Sequence, residues 1–409
     1  MTQDVTTKKI LFVSARLPFP AIEGHQIRAY GLIKELSKFS DVHLLSILRP
    51  GEIIEPKGTL ADGCSSISGV DLKGGLFENA LAGVRSLKQS DPLVVCKYVT
   101  PQLISAFKAK LHEIKPDIVH LDLLPLAALS RYVPKGVKIV LNEHNIESDL
   151  VEQKIDSLKD VIEKYVYKRE LKLLRQFEMN ACRNVDTVLA CSDKDSDIIR
   201  AFGVNDVWTI PNGVNTSDLV PMGDQFDTDS LVFLGGMGWY PNRLGIEWFV
   251  NEVLPTLVKK NPNVHLHLIG NPEPWVSLPK SVTKHVTKHG FVDDFRQYVA
   301  ASGIMIIPLH VGSGTRLKVV EGASLGKCMV STRKGAEGVM LNNQDSIVFA
   351  DTADDFAESI LMLQRDKKEI IRLGKNARVI AEDIYDWRSI GIKLKEIYSG
   401  THASVTKSA

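Results

Sequence analysis

The segment that decides the fold is residues 304–332, IMIIPLHVGSGTRLKVVEGASLGKCMVST. It begins with an apolar run short enough to be a buried strand, passes through a glycine-bearing loop into an amphipathic stretch, and ends in a second apolar run. Strand, loop, helix and strand in this order form a βαβ unit, whose crossover makes its two strands parallel. The segment therefore predicts an α/β fold built on parallel sheets.

The same rhythm runs along the whole chain. Apolar runs alternate with longer amphipathic stretches: KILFVS (9–14), VHLLSI (42–47), DIVHLD (117–122), VKIVLN (137–142), DTVLACS (186–192), SLVFLGG (230–236), VHLHLIG (264–270), IMIIPL (304–309), CMVST (328–332) and SIVFA (346–350). A fresh strand series near residue 206 lies beside the polar loop IPNGVNTSD (210–218), which indicates two sheets rather than one. We predict domains at 1–192 and 193–385, one long helix over 150–182, a C-terminal helix at 386–400 and a disordered tail at 401–409.

Composition narrows the class of protein. The chain has 409 residues, of which 50 are Lys or Arg and 49 are Asp or Glu, so its formal charge is +1. The chain therefore lacks the excess of basic residues that is typical of proteins that bind nucleic acids. Five cysteines without a C-x-x-C pair predict neither a disulfide framework nor a zinc site. The absence of a long apolar run and of a signal-peptide core favours a cytoplasmic protein.

Ligands of open parallel sheets bind at the carboxyl ends of the strands, so the loops there are the candidate sites. In the first half, Gly24 and His25 open a helix after KILFVS, where backbone N–H groups could meet an anion; a plain strand-to-helix connection is the alternative. His144, Asn145 and Glu147 follow VKIVLN, where a histidine could contact a phosphate or a hydroxyl. A helix cap with a solvated histidine explains that cluster equally well.

The second half carries two further glycine loops. Gly235 and Gly236 precede aromatic residues and Arg243, a pattern that suits a phosphate shelf or, alternatively, a tight turn with core aromatics. The strongest segment joins a flexible loop to two cations and a carboxylate, which favours an oxyanion ligand. Its candidate residues are Gly312, Ser313, Gly314, Thr315, Arg316, Lys318 and Glu321. A surface pair between Lys318 and Glu321 is the alternative for those two residues.

No metal site is predicted. His265 and His267 lie on one face of VHLHLIG, but no acidic or cysteine partner lies nearby in the sequence, so packed histidines are the favoured interpretation.

The order of PNGVN, FLGGMGWYPNRLGIEWFVNEVLP, IIPLHVGSGTRLKVVEGASLGKCMVST and GAEGV resembles the retaining nucleotide-sugar glycosyltransferases of family 4. The resemblance implies the GT-B fold, with two Rossmann-like domains facing a central cleft and a C-terminal helix crossing back to the N-terminal domain. It also implies that the N-terminal domain binds the acceptor and the C-terminal domain binds the donor.

Site roles follow from the same resemblance. Glu321 matches a glutamate that binds ribose hydroxyls, Gly312, Ser313 and Gly314 match the loop beside the donor sugar and diphosphate, and His144 matches a histidine near the reacting centre. Two positions depart from the family. Ser313 replaces a glutamate that contacts the donor sugar, and Gly236 replaces an arginine of the phosphate clamp. We expect Arg316 and Lys318, with Arg243, to supply that positive charge instead.

The implied activity is hexosyl transfer from a nucleoside-diphosphate sugar, of the UDP or GDP type, to a hydroxyl of a carbohydrate or lipid-linked acceptor in bacterial polysaccharide or glycoconjugate biosynthesis. Transfer would proceed with retention, without a metal or other cofactor. The alternatives are a nucleotide-sugar 2-epimerase of the same architecture and a non-catalytic sugar-nucleotide-binding partner. Basic residues between 154 and 175, largely offset by acidic neighbours, predict at most weak peripheral contact with the inner membrane face.

Overall fold

A seven-stranded parallel sheet organises the first part of the chain. The computed structural model describes residues 7–21, 23–54, 60–72, 75–158, 160–271, 273, 276–312 and 316–400. The strands are β1 (Lys8–Ser14), β2 (Ser40–Leu48), β3 (Ser66–Asp71), β4 (Ile118–Asp122), β5 (Lys138–Asn142), β6 (Thr187–Ala190) and β7 (Val207–Thr209). They pair in the order β3-β2-β1-β4-β5-β6-β7, so that all their carboxyl ends lie along one edge.

Helices cover both faces of this sheet, as parallel strands require. They are α1 (Gly24–Leu36), α2 (Leu76–Gln89), α3 (Leu93–Tyr98), α4 (Pro101–Ile114), α5 (Glu147–Ser157), α6 (Val161–Arg183) and α7 (Asp193–Ala201), with 3₁₀ segments at Ala61–Gly63 and Leu124–Tyr132. Central strand residues such as Leu11, Leu121 and Leu141 are fully buried.

A second, six-stranded parallel sheet follows. Its strands are β8 (Asp227–Leu234), β9 (His265–Ile269), β10 (Val286–Gly290), β11 (Ser302–Ile307), β12 (Cys328–Ser331) and β13 (Val348–Phe349), in the order β10-β9-β8-β11-β12-β13. Its helices are α8 (Tyr240–Trp248), α9 (Leu254–Lys260), α10 (Arg296–Ala301), α11 (Leu317–Ser324), α12 (Ala353–Arg365) and α13 (Lys367–Ile380), with π segments at Phe249–Val253 and Ala381–Tyr385 and a 3₁₀ turn at Thr283–His285.

The two sheets belong to two units. Unit 1 comprises Met1–Pro211 and Ile390–Ala409, and unit 2 comprises Asn212–Ser389. The last helix, α14 (Trp387–Ser399), therefore lies mostly in unit 1, where Lys8 Nζ donates to the Tyr398 carbonyl at 2.9 Å. The predicted tail at 401–409 lies outside the described residues.

The predicted α/β class with two parallel sheets is confirmed, and each of the ten apolar runs forms a strand. The three additional strands, β3, β7 and β10, all lie at sheet edges. These three strands are only partly buried, so they lack the continuous apolar run that marks a central parallel strand.

Two boundaries differ from the expectation. The segment 150–182 is not one helix, because the backbone is extended at Leu158 and Asp160 then caps α6 by accepting from the Glu163 N–H at 2.7 Å. Residues 193–211 lie with unit 1 rather than with the second unit, because β7 pairs with β6.

Candidate functional site

In unit 1, His144 is held by an aspartate from the neighbouring strand. Asp122 ends β4, Asn142 ends β5 directly beside it, and His144 follows two residues later. His144 Nε2 lies 2.9 Å from Asp122 Oδ1, and both side chains are buried. Burial opposes ionisation of Asp122, but His144 and His120 outweigh it and hold the pKa of its carboxyl well below the ordinary range.

A buried arginine balances this carboxylate. Arg28 of α1 is only 1% exposed and donates to Asn142 Oδ1 at 2.7 Å and to the Ile210 carbonyl at 2.7 Å. Asn142 Nδ2 in turn donates to Asp122 Oδ1 at 2.7 Å. Asn142 thus bridges a buried cation and a buried anion, which offsets the desolvation cost of both.

The C-terminal helix extends the same network. The Tyr398 hydroxyl lies 2.5 Å from His120 Nδ1, and His120 Nε2 lies 3.9 Å from Asp122 Oδ1. His120 stacks on Phe12 with ring centroids 4.1 Å apart. Burial lowers the pKa of His120, and Asp122 opposes that fall. We call Arg28, His120, Asp122, Asn142, His144 and Tyr398 the histidine network.

The network fixes which nitrogen of His144 is available to a substrate. With Nε2 facing a carboxylate, the proton of the neutral ring resides on Nε2, and Nδ1 carries the lone pair. Nδ1 has no hydrogen-bond partner among the described residues. A neutral His144 can therefore accept a hydrogen bond or a proton from a hydroxyl. The solvated-cap interpretation is wrong, because this histidine is buried and hydrogen-bonded to Asp122.

The other predicted residues of unit 1 lie near His144 in the sequence or at the start of α1, and they differ in their contacts. Gly24 begins α1, and the pKa of His25 is lowered by burial and by the neighbouring His144. Glu147 begins α5 and is half-buried, with its backbone N–H donating to Glu178 Oε1 at 2.7 Å. Burial and Glu178 raise the pKa of Glu147 to about 7, and Asn145 hydrogen-bonds its side chain.

In unit 2, Asn242 joins the first glycine loop to Lys318. Lys318 Nζ donates to Asn242 Oδ1 at 2.6 Å, while Asn242 Nδ2 donates to the Gly236 carbonyl at 2.8 Å. Gly235 has a φ of +143°, and a Cβ there would lie 2.8 Å from Lys318 Nζ. Only glycine allows this close approach. Burial, reinforced by Arg316, lowers the pKa of Lys318 to about 7.

Arg316 closes the second glycine loop. Its side chain is 4% exposed, and its guanidinium lies 5.4 Å from the centroid of the Trp239 ring. A Cβ on Gly312, whose φ is +117°, would lie 2.6 Å from an Arg316 terminal nitrogen. We call Gly235, Asn242, Gly312, Arg316 and Lys318 the cationic loop site.

Some predicted members stand apart from this site. Arg243 lies over the Tyr240 ring, 5.8 Å from its centroid, rather than against Lys318. Ser313, Gly314 and Thr315 lie outside the described residues.

Glu321 lies one turn along α11 from Lys318 and is half-buried. Burial raises the pKa of its carboxyl, and Lys318 acts against that rise. The two side chains form no ion pair within the described part of the chain, where Lys318 bonds Asn242 instead. The surface-pair alternative is therefore wrong, and Glu321 has acceptor oxygens available for a ligand.

Four partners of the predicted residues were missed from the sequence: Arg28, Asp122, Asn142 and Asn242. Because ligands of parallel sheets bind at the carboxyl ends of the strands, the sequence does point to Asp122 and Asn142, each of which ends a predicted apolar run. Arg28 and Asn242 carry no such signal, because their partners are 114 and 76 positions away in the chain.

The histidines of β9 bond other side chains. His265 Nε2 lies 2.7 Å from Thr287 Oγ1, and His267 Nδ1 lies 2.9 Å from His289 Nε2. Among the described residues, no group of three or more His, Cys, Asp or Glu side chains could hold a metal ion. Within the same residues, no helix is long and apolar enough to cross a membrane.

Several solved structures share this fold. Sucrose-phosphate synthase from Thermosynechococcus elongatus is 17% identical, with a TM-score of 0.70 over 96% of this chain and 98% of that one. Anabaena HepE in complex with UDP is 16% identical, with a TM-score of 0.68 over 96% and 100%. The galactosyltransferase WaaB of the lipopolysaccharide outer core is 14% identical, with a TM-score of 0.61 over 96% and 99%. The fold is GT-B, as the sequence resemblance implied.

Family models identify both halves of the chain. The model described as Glycosyltransferase Family 4 matches residues 24–218, and the model described as Glycosyl transferases group 1 matches residues 228–366. The chain therefore has a family 4 glycosyltransferase domain in its first half and a group 1 glycosyl transferase domain in its second.

A relative of known genetic context matches part of the chain. It is described as an uncharacterized 44.6 kDa protein in the cps region of Klebsiella pneumoniae and is 25% identical over 178 residues. The match spans 41% of this chain and 46% of the relative.

Proposed function

We propose that this glycosyltransferase moves a hexosyl group from a nucleoside-diphosphate sugar to an acceptor hydroxyl, with retention at the anomeric carbon. The observation that carries the proposal is the cationic loop site, where the side chains of Lys318 and Arg316 pack against Gly235 and Gly312, respectively. Such a site suits a diphosphate, because charge-assisted hydrogen bonds to phosphate are strong. The HepE structures bound to UDP and to UDP-glucose support a donor of the UDP type, with GDP the alternative.

Each unit has a separate part in the proposed reaction. In unit 2, Lys318 and Arg316 bind the diphosphate and stabilise it as the leaving group, in the role that a divalent metal has in other transferases. Glu321 accepts hydrogen bonds from the ribose hydroxyls. In unit 1, His144 Nδ1 accepts from a substrate hydroxyl, while Asp122 stabilises the ring if it gains a proton.

The acceptor is proposed to be a carbohydrate or a lipid-linked sugar of a bacterial polysaccharide or glycoconjugate. The relative encoded in a cps region supports this assignment. We further propose weak peripheral contact at the inner membrane face through α6, whose residues Val161, Ile162 and Tyr165 are 80%, 77% and 74% exposed beside basic neighbours. Co-sedimentation with anionic vesicles at low salt tests this contact, and a V161S/I162S variant should remain in the supernatant.

A panel of sugar nucleotides tests the reaction itself. Purified protein is incubated with UDP- and GDP-sugars and candidate acceptors, and the anomeric configuration of the product is read by NMR. Acceptor-dependent release of nucleoside diphosphate with a retained configuration supports the proposal. Epimerised sugar nucleotide without transfer would instead identify a 2-epimerase, and donor binding without turnover would identify a non-catalytic binding partner.

Independence from metal is tested in the same assay. Because we assign leaving-group stabilisation to Arg316 and Lys318, turnover should persist after treatment with a chelator. Activity that disappears with chelator and returns with Mg²⁺ would overturn this part of the proposal.

A further inference from the structure

A cavity lies in unit 2 at the opposite edge of the sheet from the cationic loop site. It occupies about 320 Å³ beside the amino ends of β8, β11 and β12, whereas Gly235 follows the carboxyl end of β8. Its volume lies within the range of small-molecule sites. Much of its lining is apolar and includes Pro221, Phe226, Val299 and Ile370.

The charged groups of this cavity are mainly cations. Lys327, Lys375, Arg296 and Arg378 line it, and Asp224 is the one carboxylate among its described lining residues. Arg296 and Arg378 are paired with Asp294 and Glu382, respectively. Lys327 and Lys375 form no ion pair with any residue that the structure describes.

Lys327 is the decisive residue. It is 6% exposed, and its ammonium makes one long hydrogen bond, 3.4 Å, to the Ala300 carbonyl while lying 4.7 Å from the centroid of the Phe226 ring. An ammonium has three donors, so most of its hydrogen-bonding capacity is unused by the protein. Burial lowers the pKa of Lys327 to about 8, and the nearby Asp224 only partly opposes that fall.

We propose that this cavity binds an organic anion with an apolar body, whose acidic group pairs with Lys327 and Lys375. The apolar side chains of the cavity contact the body of the ligand. The ammonium of Lys327 donates hydrogen bonds to its carboxylate, sulfonate or phosphate group.

The cavity also adjoins the helix that carries Lys318. Leu325, Gly326 and Lys327 follow the C-terminus of α11 and line the cavity, while Lys318 lies in the first turn of that helix. Arg378 lines the cavity and donates to the carbonyl of Ser324, the last residue of α11. An anion that draws the Lys327 ammonium toward itself pulls on the chain directly after α11, the helix that positions Lys318, so we infer that the ligand changes the affinity for the donor nucleotide. This coupling rests on the proposed function, whereas binding in the cavity does not.

The probe for binding is 8-anilinonaphthalene-1-sulfonate, an organic anion with an apolar body, titrated into the folded full chain. K327M removes the charge at similar length, and A300W fills the cavity while keeping the lysine. Each should weaken saturable binding about tenfold or more, the scale of one lost charge-assisted bond. The matched control is K367M, because Lys367 lies 4.6 Å from the centroid of the same Phe226 ring but does not line the cavity.

Parental affinity in both K327M and A300W would overturn the site, and A300W alone decides if K327M does not fold.

For the coupling, the Kd of UDP is measured with and without saturating probe, and we expect a change of about threefold or more that disappears in A300W. An unchanged Kd overturns the coupling. If UDP does not bind even without probe, the proposed function fails while the cavity result stands.

Discussion

The histidine network of unit 1 and the cationic loop site of unit 2 handle buried charge in opposite ways. In the network, Asp122 is matched by Arg28 through Asn142 and by two histidines. In the loop site, the Lys318 ammonium is held by the neutral amide of Asn242 and lies over the Phe233 ring, 4.2 Å from its centroid. In the first site, the buried charges are compensated by other groups of the protein. In the second site, no anion in the described part of the chain forms an ion pair with Lys318, and its pKa stays low until an anionic ligand binds. Perturbing a charge should therefore affect folding in unit 1 and ligand affinity in unit 2.

The largest expected effect is on the stability of unit 1. Asp122→Asn keeps the shape but leaves the Arg28 cation uncompensated, so we expect a loss of about 3–5 kcal/mol, the scale of a broken buried pair. Urea unfolding, with amide exchange in β4 and β5, measures it. The control is D197N, which removes an exposed carboxylate paired with Arg200 in the same unit. A loss no greater than in the control would show that Arg28 does not depend on Asp122.

The stability that Asp122 contributes should depend on pH. The folded pKa of Asp122 lies below its ordinary value of 3.8, so its contribution to stability is present at neutral pH and is lost as the pH falls below about 4. As the pH falls from 4 toward 2, the parental protein should therefore lose more stability than D122N.

The next effect concerns affinity in unit 2. Removing both cations in R316A/K318A should weaken nucleoside-diphosphate binding by about 2–4 kcal/mol while the fold persists. Calorimetric titration with UDP measures the change. The control K259A/K260A removes two cations from α9 and should bind as the parental protein does. Equal affinity in the two double variants would contradict the assignment of the diphosphate to the loop site.

The third test separates turnover from binding. His144→Ala removes the hydroxyl acceptor, so turnover should fall about 10²-fold or more, the scale of one positioned catalytic group, with UDP affinity nearly unchanged. Rates are measured with the sugar nucleotide that the donor panel identifies. H112A, an exposed histidine of α4 in the same unit, is the control. Parental turnover in H144A would remove unit 1 from the chemistry, and the assignments of Gly24, Asn145 and Glu147 would lose their basis.

The smallest expected effect concerns Tyr398, and it tests whether this residue influences turnover through the histidine network. Tyr398→Phe removes the hydrogen bond to His120, which should cost about 1 kcal/mol of unit 1 stability. If the bond also positions Asp122, turnover falls while UDP affinity stays constant. A variant with reduced stability and parental turnover would confine Tyr398 to anchoring α14.

The sequence predicted the parts of this molecule that depend on local pattern. Central strands such as β11 are buried on both faces and were predicted from their apolar runs, whereas β3, β7 and β10 lie at edges and carry no such run. The break between α5 and α6 was missed because its cap at Asp160 lies within a helix-like charge pattern. His144 and Lys318 follow predicted strands, but their partners Asp122 and Asn242 come from distant segments that only the folded sheets bring close.

The most direct test of the contrast between the two sites is the proton balance of nucleotide binding. Because Lys318 has a pKa of about 7 without ligand, it is largely neutral at pH 8, and a bound diphosphate should raise that pKa and draw in a proton. Titration of UDP or GDP near pH 8, in buffers of different ionisation enthalpy, measures the number of protons taken up. We expect uptake approaching one proton in the parental protein and H144A, and none in K318M. Tight binding without proton uptake, or equal uptake in K318M, would contradict this expectation.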